Sequence, residues 1–144
     1  MLAAIATSPQ QAMARVVLSC GASFGKTFYL SAKNGGWQDD KISKGAYTFT
    51  VDDKGEWDIL YNNTDGPPMS YRETGAALIR IQGDAENRHF MLLAAFPRDG
   101  VIDTFSVNDD PSDPSTRVLL WTSNKSNAGP ISLTKISGMI AACN

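Results

Sequence analysis

One short stretch of this chain carries the residue types with which many proteins hold nucleotide phosphates. It runs Gly21-Ala22-Ser23-Phe24-Gly25-Lys26-Thr27, and its Gly-Lys-Thr could supply a lysine for phosphate oxygens and a hydroxyl for magnesium. A phosphate loop needs four residues between its glycines, and Cys20 stands where the first glycine should be. No helix is predicted after Thr27, although a phosphate site needs the amides of a helix terminus. We therefore predict a strand with a bend.

His89 is the only histidine. Because Ser and Cys nucleophiles usually need a nearby base such as histidine, a catalytic triad must be built around His89. It stands at the start of an apolar run, where a packed or edge-exposed histidine is the simpler interpretation. The spacing suggests no partners for a metal site either. We expect no catalytic residue, no metal and no cofactor.

Carboxylates form the third set of candidates. Asp109, Asp110 and Asp113 lie in an oxygen-rich loop that could hold calcium. The loop lacks the ordered ligand spacing and the bidentate glutamate of a calcium hand, and loops rich in Asp, Asn and Pro are common as solvated turns. Pairs for glycoside hydrolysis could be drawn from other aspartates, although nothing in the sequence fixes their separation. These are Asp39, Asp40, Asp58 and Asp103.

Aromatic residues are the more informative candidates for binding. Trp57, Tyr47 and Tyr61 fall on the predicted inner face of a hairpin and are expected in the core, and Trp121 lies in a later strand. Trp37 and Tyr71 lie in or next to loops and are expected to be exposed. We predict a partner-binding site formed by Trp37, Tyr71, Asp39 and Asp40.

The composition limits the classes of partner. With 144 residues, 42% of them hydrophobic, the chain can bury one sizeable core. Thirteen Lys and Arg against fifteen Asp and Glu give a net charge of −2, which argues against nucleic acid or an anionic membrane surface as a partner. No apolar run is long enough to predict a transmembrane helix.

The N-terminus contains an export-like pattern. Residues 1–6 are apolar, and Ala12-Met13-Ala14 has the small-x-small form of a signal-peptidase site. No basic residue precedes the apolar run, and Pro9 interrupts it. We interpret residues 1–14 as an N-terminal arm or the remnant of a signal peptide, and residues 15–144 as a single β domain.

The rest of the chain reads as eight to ten short strands with turn signals between them. Such a pattern is typical of an all-β sandwich or barrel, and the tight connections favour an antiparallel up-and-down meander. Arg15 to Ser19 and Lys26 to Ala32 are predicted as strands separated by the small residues 20–23. Trp37 to Gly45 is predicted as an irregular connection, and residues 108–115 as the longest polar loop.

Two hairpins have a predicted register. In the first, a left-handed Gly55 pairs Val51 with Trp57, Phe49 with Ile59 and Tyr47 with Tyr61, which places all six side chains on one face. The same turn logic applied at Arg98-Asp99-Gly100 pairs Leu93 with Phe105, Met91 with Val107 and Phe96 with Ile102.

Cys20 and Cys143 are the only cysteines, and they stand in the first and last predicted segments. In a meander whose sheet closes, these segments meet. Together with the export-like start, this predicts a disulfide between them. Two free buried cysteines in a cytosolic protein are the alternative.

Several short motifs resemble a group of small exported proteobacterial proteins of uncharacterised function. They are Cys20-Gly-Ala-Ser, Gly36-Trp37-Gln-Asp39-Asp40-Lys-Ile42-Ser43-Lys-Gly45, Asp58-Ile-Leu-Tyr61 and the ending from Lys135 to Cys143. The resemblance covers most of the chain after Arg15. It implies a location in the envelope or outside the cell and does not imply an activity.

These observations favour a non-enzymatic periplasmic or extracellular domain that binds a protein or a small ligand. An inhibitor of an envelope hydrolase is one form of that function. One alternative is a structural subunit of a surface or virion-like assembly, for which exposed strand edges would allow self-assembly. The other is a hydrolase that uses carboxylates.

Overall fold

The computed structural model describes residues 14–30, 35–43, 46–62, 66–126 and 134–144. The prediction for the N-terminal arm therefore falls almost wholly outside the described residues. Those residues form ten β-strands: β1 (Arg15–Leu30), β2 (Gly36–Ile42), β3 (Ala46–Val51), β4 (Trp57–Asn62), β5 (Met69–Ser70), β6 (Ala77–Asp84), β7 (His89–Phe96), β8 (Val101–Asp110), β9 (Asp113–Lys125) and β10 (Thr134–Cys143).

The strands form one antiparallel sheet, curled into a half-barrel with up-and-down connections. Its order is β5-β4-β3-β1-β10-β9-β8-β7-β6, and β2 pairs with β1 away from this path. Neighbours in sequence are therefore mostly neighbours in the sheet. This confirms the predicted all-β antiparallel meander. Of the two predicted architectures, barrel and sandwich, the half-barrel corresponds to the barrel.

The long strand β1 differs from the prediction. Residues 20–23 do not separate two strands, because β1 is continuous across them with a register shift between Cys20 and Ser23. Residues 37–42, part of the predicted irregular connection from Trp37 to Gly45, belong to β2, which runs along the second half of β1, while β3 pairs with the first half. A strand with one face in water can contain many polar residues and needs no apolar run. The sequence pattern of β2 therefore did not indicate a strand.

The hairpin of β3 and β4 has the predicted register, with Val51 opposite Trp57 and Tyr47 opposite Tyr61. Gly55 has a φ of 78°, and its N–H donates to the Asp52 carbonyl over 3.1 Å. The left-handed conformation is open to glycine without the steric penalty of a side chain. The turn chemistry alone was therefore enough to place these two strands.

The predicted register of β7 and β8 is wrong by one residue. Phe90 pairs with Val107, Leu92 with Phe105 and Phe96 with Val101. This turn has four residues between the last paired positions, whereas the β3–β4 turn has five, so no extra residue shifts the register. A shift of one residue exchanges the two faces of a strand, and it is Phe90 and Leu92 that are buried.

The predicted polar loop at residues 108–115 is also wrong. The strand β8 continues to Asp110, and β9 begins at Asp113. The aspartates support the tight turn themselves: the Ser112 N–H donates to Asp110 Oδ1 over 2.8 Å, and the Ser115 N–H donates to Asp113 Oδ1 over 3.1 Å. Asp side chains can hydrogen-bond the backbone two residues further on and so stabilise a tight turn. The loop is therefore shorter than its polar composition suggests.

The core fills the concave side of the half-barrel. Its largest fully buried side chains come from β1, β3, β4, β7, β8 and β9: Leu18, Phe49, Ile59, Leu92, Phe105 and Leu119. Aromatic rings meet edge to face across it, as in the pairs of Phe49 with Phe90 at 5.0 Å and Tyr47 with Phe105 at 5.1 Å. The predicted core positions of Tyr47 and Trp57 are confirmed, since their exposed fractions are 4% and 5%.

The predicted disulfide joins Cys20 to Cys143. The two residues face each other across β1 and β10, with Cα atoms 3.9 Å apart. The flanking pair, Ser19 and Asn144, exchanges both backbone hydrogen bonds, so the cysteines occupy a position without such bonds, where antiparallel strands approach most closely. The first and last of these strands in chain order, which are neighbours within the sheet, are thus cross-linked.

We expect reduction of this disulfide to destabilise the protein strongly. The bond spans 123 positions of sequence, for which the chain-entropy model gives a loss on the order of 4 to 5 kcal/mol in the free energy of unfolding. Denaturant melts of the same preparation with and without reductant measure the effect, and intact mass counts the thiols. An unchanged midpoint after complete reduction would contradict the expectation.

A matched pair of glycines in β1 tests how closely β1 and β10 approach. A Cβ built at Gly25 would lie 2.0 Å from the Gly138 carbonyl oxygen, whereas one at Gly21 meets nothing within 4 Å. Gly25→Ala should therefore lower the free energy of unfolding by about 2 kcal/mol or more, and Gly21→Ala should leave it within about 1 kcal/mol of the parent. Equal effects in urea melts would show that the close approach is wrong.

Candidate functional site

A pocket of about 510 Å³ opens on the concave side of the half-barrel. It lies towards the end of the sheet where β1 finishes and β10 begins. Its wall combines aromatic, acidic, basic and hydroxyl side chains: Tyr29, Tyr47, Tyr61, Trp121, Asp40, Asp103, Lys41, Lys135, Ser43, Ser123 and Ser137, together with Ile42. The strands β1, β2, β3, β4, β8, β9 and β10 all contribute, so the wall is held by the sheet itself.

Asp103 is the most unusual member of this wall. It lies on the inner face of β8, in phase with the buried Phe105 and Val107, and only 6% of it is exposed. Burial raises the pKa of its carboxyl, because a charged group loses hydration; the hydroxyls of Ser123 and Tyr71 and the charge of Lys135 act in the opposite direction. A buried carboxyl with a raised pKa inside a pocket marks a candidate functional residue.

Two tyrosines connect Asp103 to the core. The Tyr71 hydroxyl donates to Asp103 Oδ2 over 3.1 Å, and the Tyr71 ring meets that of Tyr47 edge to face at 6.4 Å. Burial raises the pKa of both phenols, so both stay protonated at neutral pH. Tyr71 therefore holds one oxygen of the carboxylate in place.

Two other polar atoms in this wall are shielded from solvent and unpaired. Asp103 Oδ1 has no hydrogen bond of good geometry, and neither does the indole Nε1 of Trp121, within the part of the chain that the structure describes. An unpaired buried polar group costs about 1 to 3 kcal/mol, and native proteins leave few of them. One acceptor and one donor in the pocket wall therefore lack partners.

Asp40 enters the pocket from β2. The Thr27 hydroxyl donates to Asp40 Oδ2 over 2.7 Å, and Thr27 is itself fully buried against Ser137, with 2.7 Å between the two hydroxyl oxygens. Asp40 Oδ1 accepts the Lys41 N–H over 2.9 Å. These contacts orient a second carboxylate in the same wall as Asp103.

The four predicted partner-binding residues do not form one cluster. Asp39 and Asp40 are consecutive in β2 and therefore point to opposite faces of the sheet. On the outer face, Asp39 forms a 2.8 Å ion pair with Lys26, which lowers its pKa, and Trp37 is 65% exposed with its ring 5.4 Å from that of Phe28. Only Asp40 lines the pocket.

The predicted exposure of Tyr71 is wrong, because only 9% of it is accessible. After β5 the chain stays on β4, where the Tyr71 N–H donates to the Ile59 carbonyl over 2.9 Å. This position turns the ring inwards, where it lies 5.0 Å from Phe96 and 5.8 Å from Phe105. Closeness to a loop in sequence was a poor guide to exposure, and Tyr71 acts on the pocket from beneath it.

The other sequence candidates lie away from the pocket. His89 Nε2 is 3.0 Å from Asp109 Oδ1, which also pairs with Arg117 at 2.6 Å. Asp58 accepts the Ser70 hydroxyl over 2.6 Å and so holds the segment that follows β4. Each of these carboxylates has a structural partner, and Asp110 and Asp113 support their own turns as described above.

Two sequence motifs have plain structural outcomes. The stretch from Gly21 to Thr27 lies within β1, with a register shift between Cys20 and Ser23. The prediction of a strand in place of a phosphate loop is confirmed. Across the described ranges, no group of three or more His, Cys, Asp or Glu residues is placed to hold a metal ion.

Sequence reasoning named Asp40 and Asp103 as carboxylates but missed Tyr29, Thr27, Ser123, Lys135 and Ser137. A signal for several of them exists in the strand pattern. Asp103 and Ser137 occupy positions in phase with buried apolar residues of β8 and β10. A polar residue at an inward position of a strand indicates a polar patch inside the sheet.

Comparison of the chain with protein-family models, with curated proteins and with solved structures found no match. Among the described residues, no helix is long and apolar enough to span a membrane.

The raised pKa of Asp103 predicts a pH-dependent effect of Asp103→Asn. Because the folded state binds this proton more tightly than the unfolded chain does, the stabilisation is complete below the unfolded pKa near 3.8 and is lost as the pH rises through the folded pKa. The neutral Asn should therefore raise the melting temperature at neutral pH, by about 2 to 4 °C for each kcal/mol relieved. The gain should shrink as the pH falls.

Thermal melts of both proteins from acidic to neutral pH measure this difference. The exposed Asp53→Asn, in the β3–β4 turn, is the matched control and should show no pH-dependent gain. A loss of stability in Asp103→Asn that grows with pH would mean that Lys135 and the hydroxyls outweigh burial.

Proposed function

We propose that this protein is a non-enzymatic binding domain of the periplasm or the extracellular space, and that it binds its partner through the half-barrel pocket. The observation that carries the proposal is a preformed pocket of about 510 Å³ whose wall contains two carboxylates, Asp40 and Asp103, each oriented by a hydroxyl. Concave sites with a few well-placed polar groups are the usual form of a ligand-binding site.

The construction of the pocket supports binding. Its wall is formed by side chains on paired strands, and Asp103 and Asp40 are each held by hydroxyls. A wall of this kind needs little ordering when a ligand enters, which lowers the free-energy cost of binding. The pocket volume also lies in the usual range for small-ligand sites, roughly 300 to 1,000 Å³.

Strand β2 borders the pocket and presents Trp37 and Asp39 on its outer face. An exposed tryptophan is a strong anchor in protein interfaces, so Trp37 offers a protein partner a second contact on the other side of this strand. If that partner is a cell-wall hydrolase, the protein acts as its inhibitor.

The disulfide supports the proposed location. Disulfides persist in oxidising compartments and are rare in the cytosol, and this one joins the first and last strands. The resemblance to small exported proteins points to the same compartment.

A carboxylate-dependent hydrolase is the second candidate. It is favoured by the presence of Asp40 and Asp103 in one wall, of which Asp103 has a raised pKa, since a raised pKa suits a general acid. Turnover of a glycan by the purified protein, lost in both Asp40→Asn and Asp103→Asn, would establish this function in place of binding alone.

An assembly subunit is the third candidate, and the outer strand β6 favours it. Ile79 and Ile81 on this strand are 52% and 54% exposed, and β6 ends the sheet on one side. An unprotected edge with apolar side chains is a template for pairing with a further strand. Sedimentation of the purified protein as large self-assemblies would support this function.

A substitution that blocks the pocket tests the binding proposal. Ser43 is exposed at the pocket rim, so Ser43→Trp should obstruct the pocket and leave the core intact. Asp53→Trp places the same bulky ring on the exposed β3–β4 turn. In a pull-down from envelope extract, we expect Ser43→Trp to recover at least about tenfold less partner than the parent, a loss of roughly 1.4 kcal/mol in binding.

Asp53→Trp should recover the partner as well as the parent does. Recovery by Ser43→Trp that equals recovery by Asp53→Trp would show that the pocket is not the binding site. Circular dichroism and melting of both variants verify that each is folded.

A further inference from the structure

We infer that two copies of this protein form a dimer through the outer face of the sheet, with the strands β2, β1, β10 and β9 of one copy packed on the same strands of the other. The outer face is the convex side of the half-barrel, away from the pocket. The inference therefore goes beyond the proposed function. It follows from the polarity, the shape and the charges of this face.

The polarity of the two faces is reversed along β1 and β10. Ser23 and Thr27 point inwards and are almost fully buried, whereas Phe24 points outwards and is 64% exposed. In β10, Ser137 is buried, while its neighbour Ile136 points outwards and is 49% exposed. A sheet with one face in water normally carries its apolar side chains on the inner face. This part of the outer face therefore has the composition of a covered surface.

Three apolar residues form a ridge across the outer face. Phe24 lies opposite Ile140, and Ile140 lies opposite Leu120. Side chains at directly opposite positions of paired strands have Cβ atoms about 5 Å apart, so the ridge is continuous over β1, β10 and β9. A contiguous apolar patch on the surface of a soluble protein marks an interaction site.

A groove runs beside this ridge. Two residues further along β10 and β9 stand Gly138 and Thr122, which are paired with each other. A Cβ built at Gly138 would meet nothing within 4 Å, and a cavity of about 340 Å³ lies between these two residues and the ridge. Since a strand rises about 3.3 Å per residue, ridge and groove are about 7 Å apart.

A ridge beside a groove is complementary to itself. A two-fold axis that runs between them, across the strands, places the ridge of each copy in the groove of the other. Ile140 then lies over the partner's Gly138, and Leu120 lies over the partner's Thr122. The strands of the two sheets stay aligned, as they do in the common packing of two sheets face to face.

The same axis brings opposite charges together. Lys41 borders the pocket, but it is two residues from Asp39, so the side chains of both lie on the outer face. Lys41 is in line with the ridge, opposite Phe24, and Asp39 is in line with the groove, opposite Lys26. Each Lys41 therefore faces the partner's Asp39, and each Phe24 ring faces the partner's Lys26, a favourable pairing of cation and ring. Because this pattern is matched by its own copy, we assign the face to a second copy of the chain.

The convex shape of the face limits the contact to the strands around β10. The interface is therefore of the small class, below about 1,200 Å² in total, and the dimer should be reversible. The two pockets of the dimer open away from each other. A dimer can then bind a partner that presents two sites more tightly than a monomer does.

The first test measures self-association of the purified chain by sedimentation velocity over a concentration series. We expect a reversible dimer with a dissociation constant on the order of 10 to 100 μM. Leu120→Asp places a charge in the partner's groove and should weaken the dimer at least about tenfold, or 1.4 kcal/mol. Ile79→Asp is the matched control, because Ile79 points outwards from β6 and its exposure of 52% is close to the 49% of Leu120. It should dimerise like the parent.

The second test mixes two charge variants. Asp39→Lys alone and Lys41→Glu alone each place like charges opposite each other at both contacts, so each should self-associate at least about tenfold more weakly than the parent. In a mixture, the lysine introduced at position 39 faces the glutamate introduced at position 41, and the natural Lys41 faces the natural Asp39. The mixture should therefore dimerise about as well as the parent. Circular dichroism verifies that each variant is folded.

The contrary results are distinct from one another. A parent that stays monomeric over the whole series would overturn the dimer. If that monomer also recovers less envelope partner after Leu120→Asp, the face belongs to a different protein. Dimers lost in Ile79→Asp and kept in Leu120→Asp would overturn the outer face in favour of the edge at β6. Folded charge variants that do not associate when mixed would overturn the two-fold arrangement. None of these results depends on Ser43→Trp, so the proposed function is tested separately.

Discussion

The pairing of the first strand with the last is the constraint on which the rest of this structure depends. β1 has β10 along one edge and β3 and β2 along the other, so both halves of the sheet are attached through it. Its register also builds the pocket. Beyond the bulge that follows Cys20, Thr27 lies opposite Ser137 and Tyr29 opposite Lys135. The disulfide that cross-links these strands therefore stabilises the alignment of three pocket residues, Tyr29, Lys135 and Ser137, and of Thr27, which orients Asp40.

Local turn chemistry predicted the register of one of the two hairpins. The β3–β4 hairpin was predicted with its register because Gly55 marks a left-handed position and the flanking residues alternate. The β7–β8 register failed because a turn of four residues and a turn of five contain similar residue types. β2 was missed because its polar residues do not by themselves indicate a strand. Its extended conformation depends on pairing with β1.

The candidate site was harder to predict because its residues meet only in the folded sheet. Asp40 and Asp103 were recognised as carboxylates, but they come from strands on opposite sides of β1, and no spacing in sequence encodes their presence in one wall. Tyr71 was placed outside because it follows a loop. Its burial depends on Phe96 and Phe105, which belong to the other half of the half-barrel.

The buried carboxyl of Asp103 departs from the apolar pattern of the inner face. An apolar residue at position 103 would continue the row of Phe105 and Val107 and would leave no unpaired acceptor. Instead the chain buries an acid whose raised pKa shows that folding disfavours its charged form, and it uses Tyr71 to orient that acid. Groups that reduce stability and are nevertheless held in place by their neighbours concentrate at functional sites. Because the acid lies in the wall of the pocket, its burial is one of the observations that support the binding function proposed above.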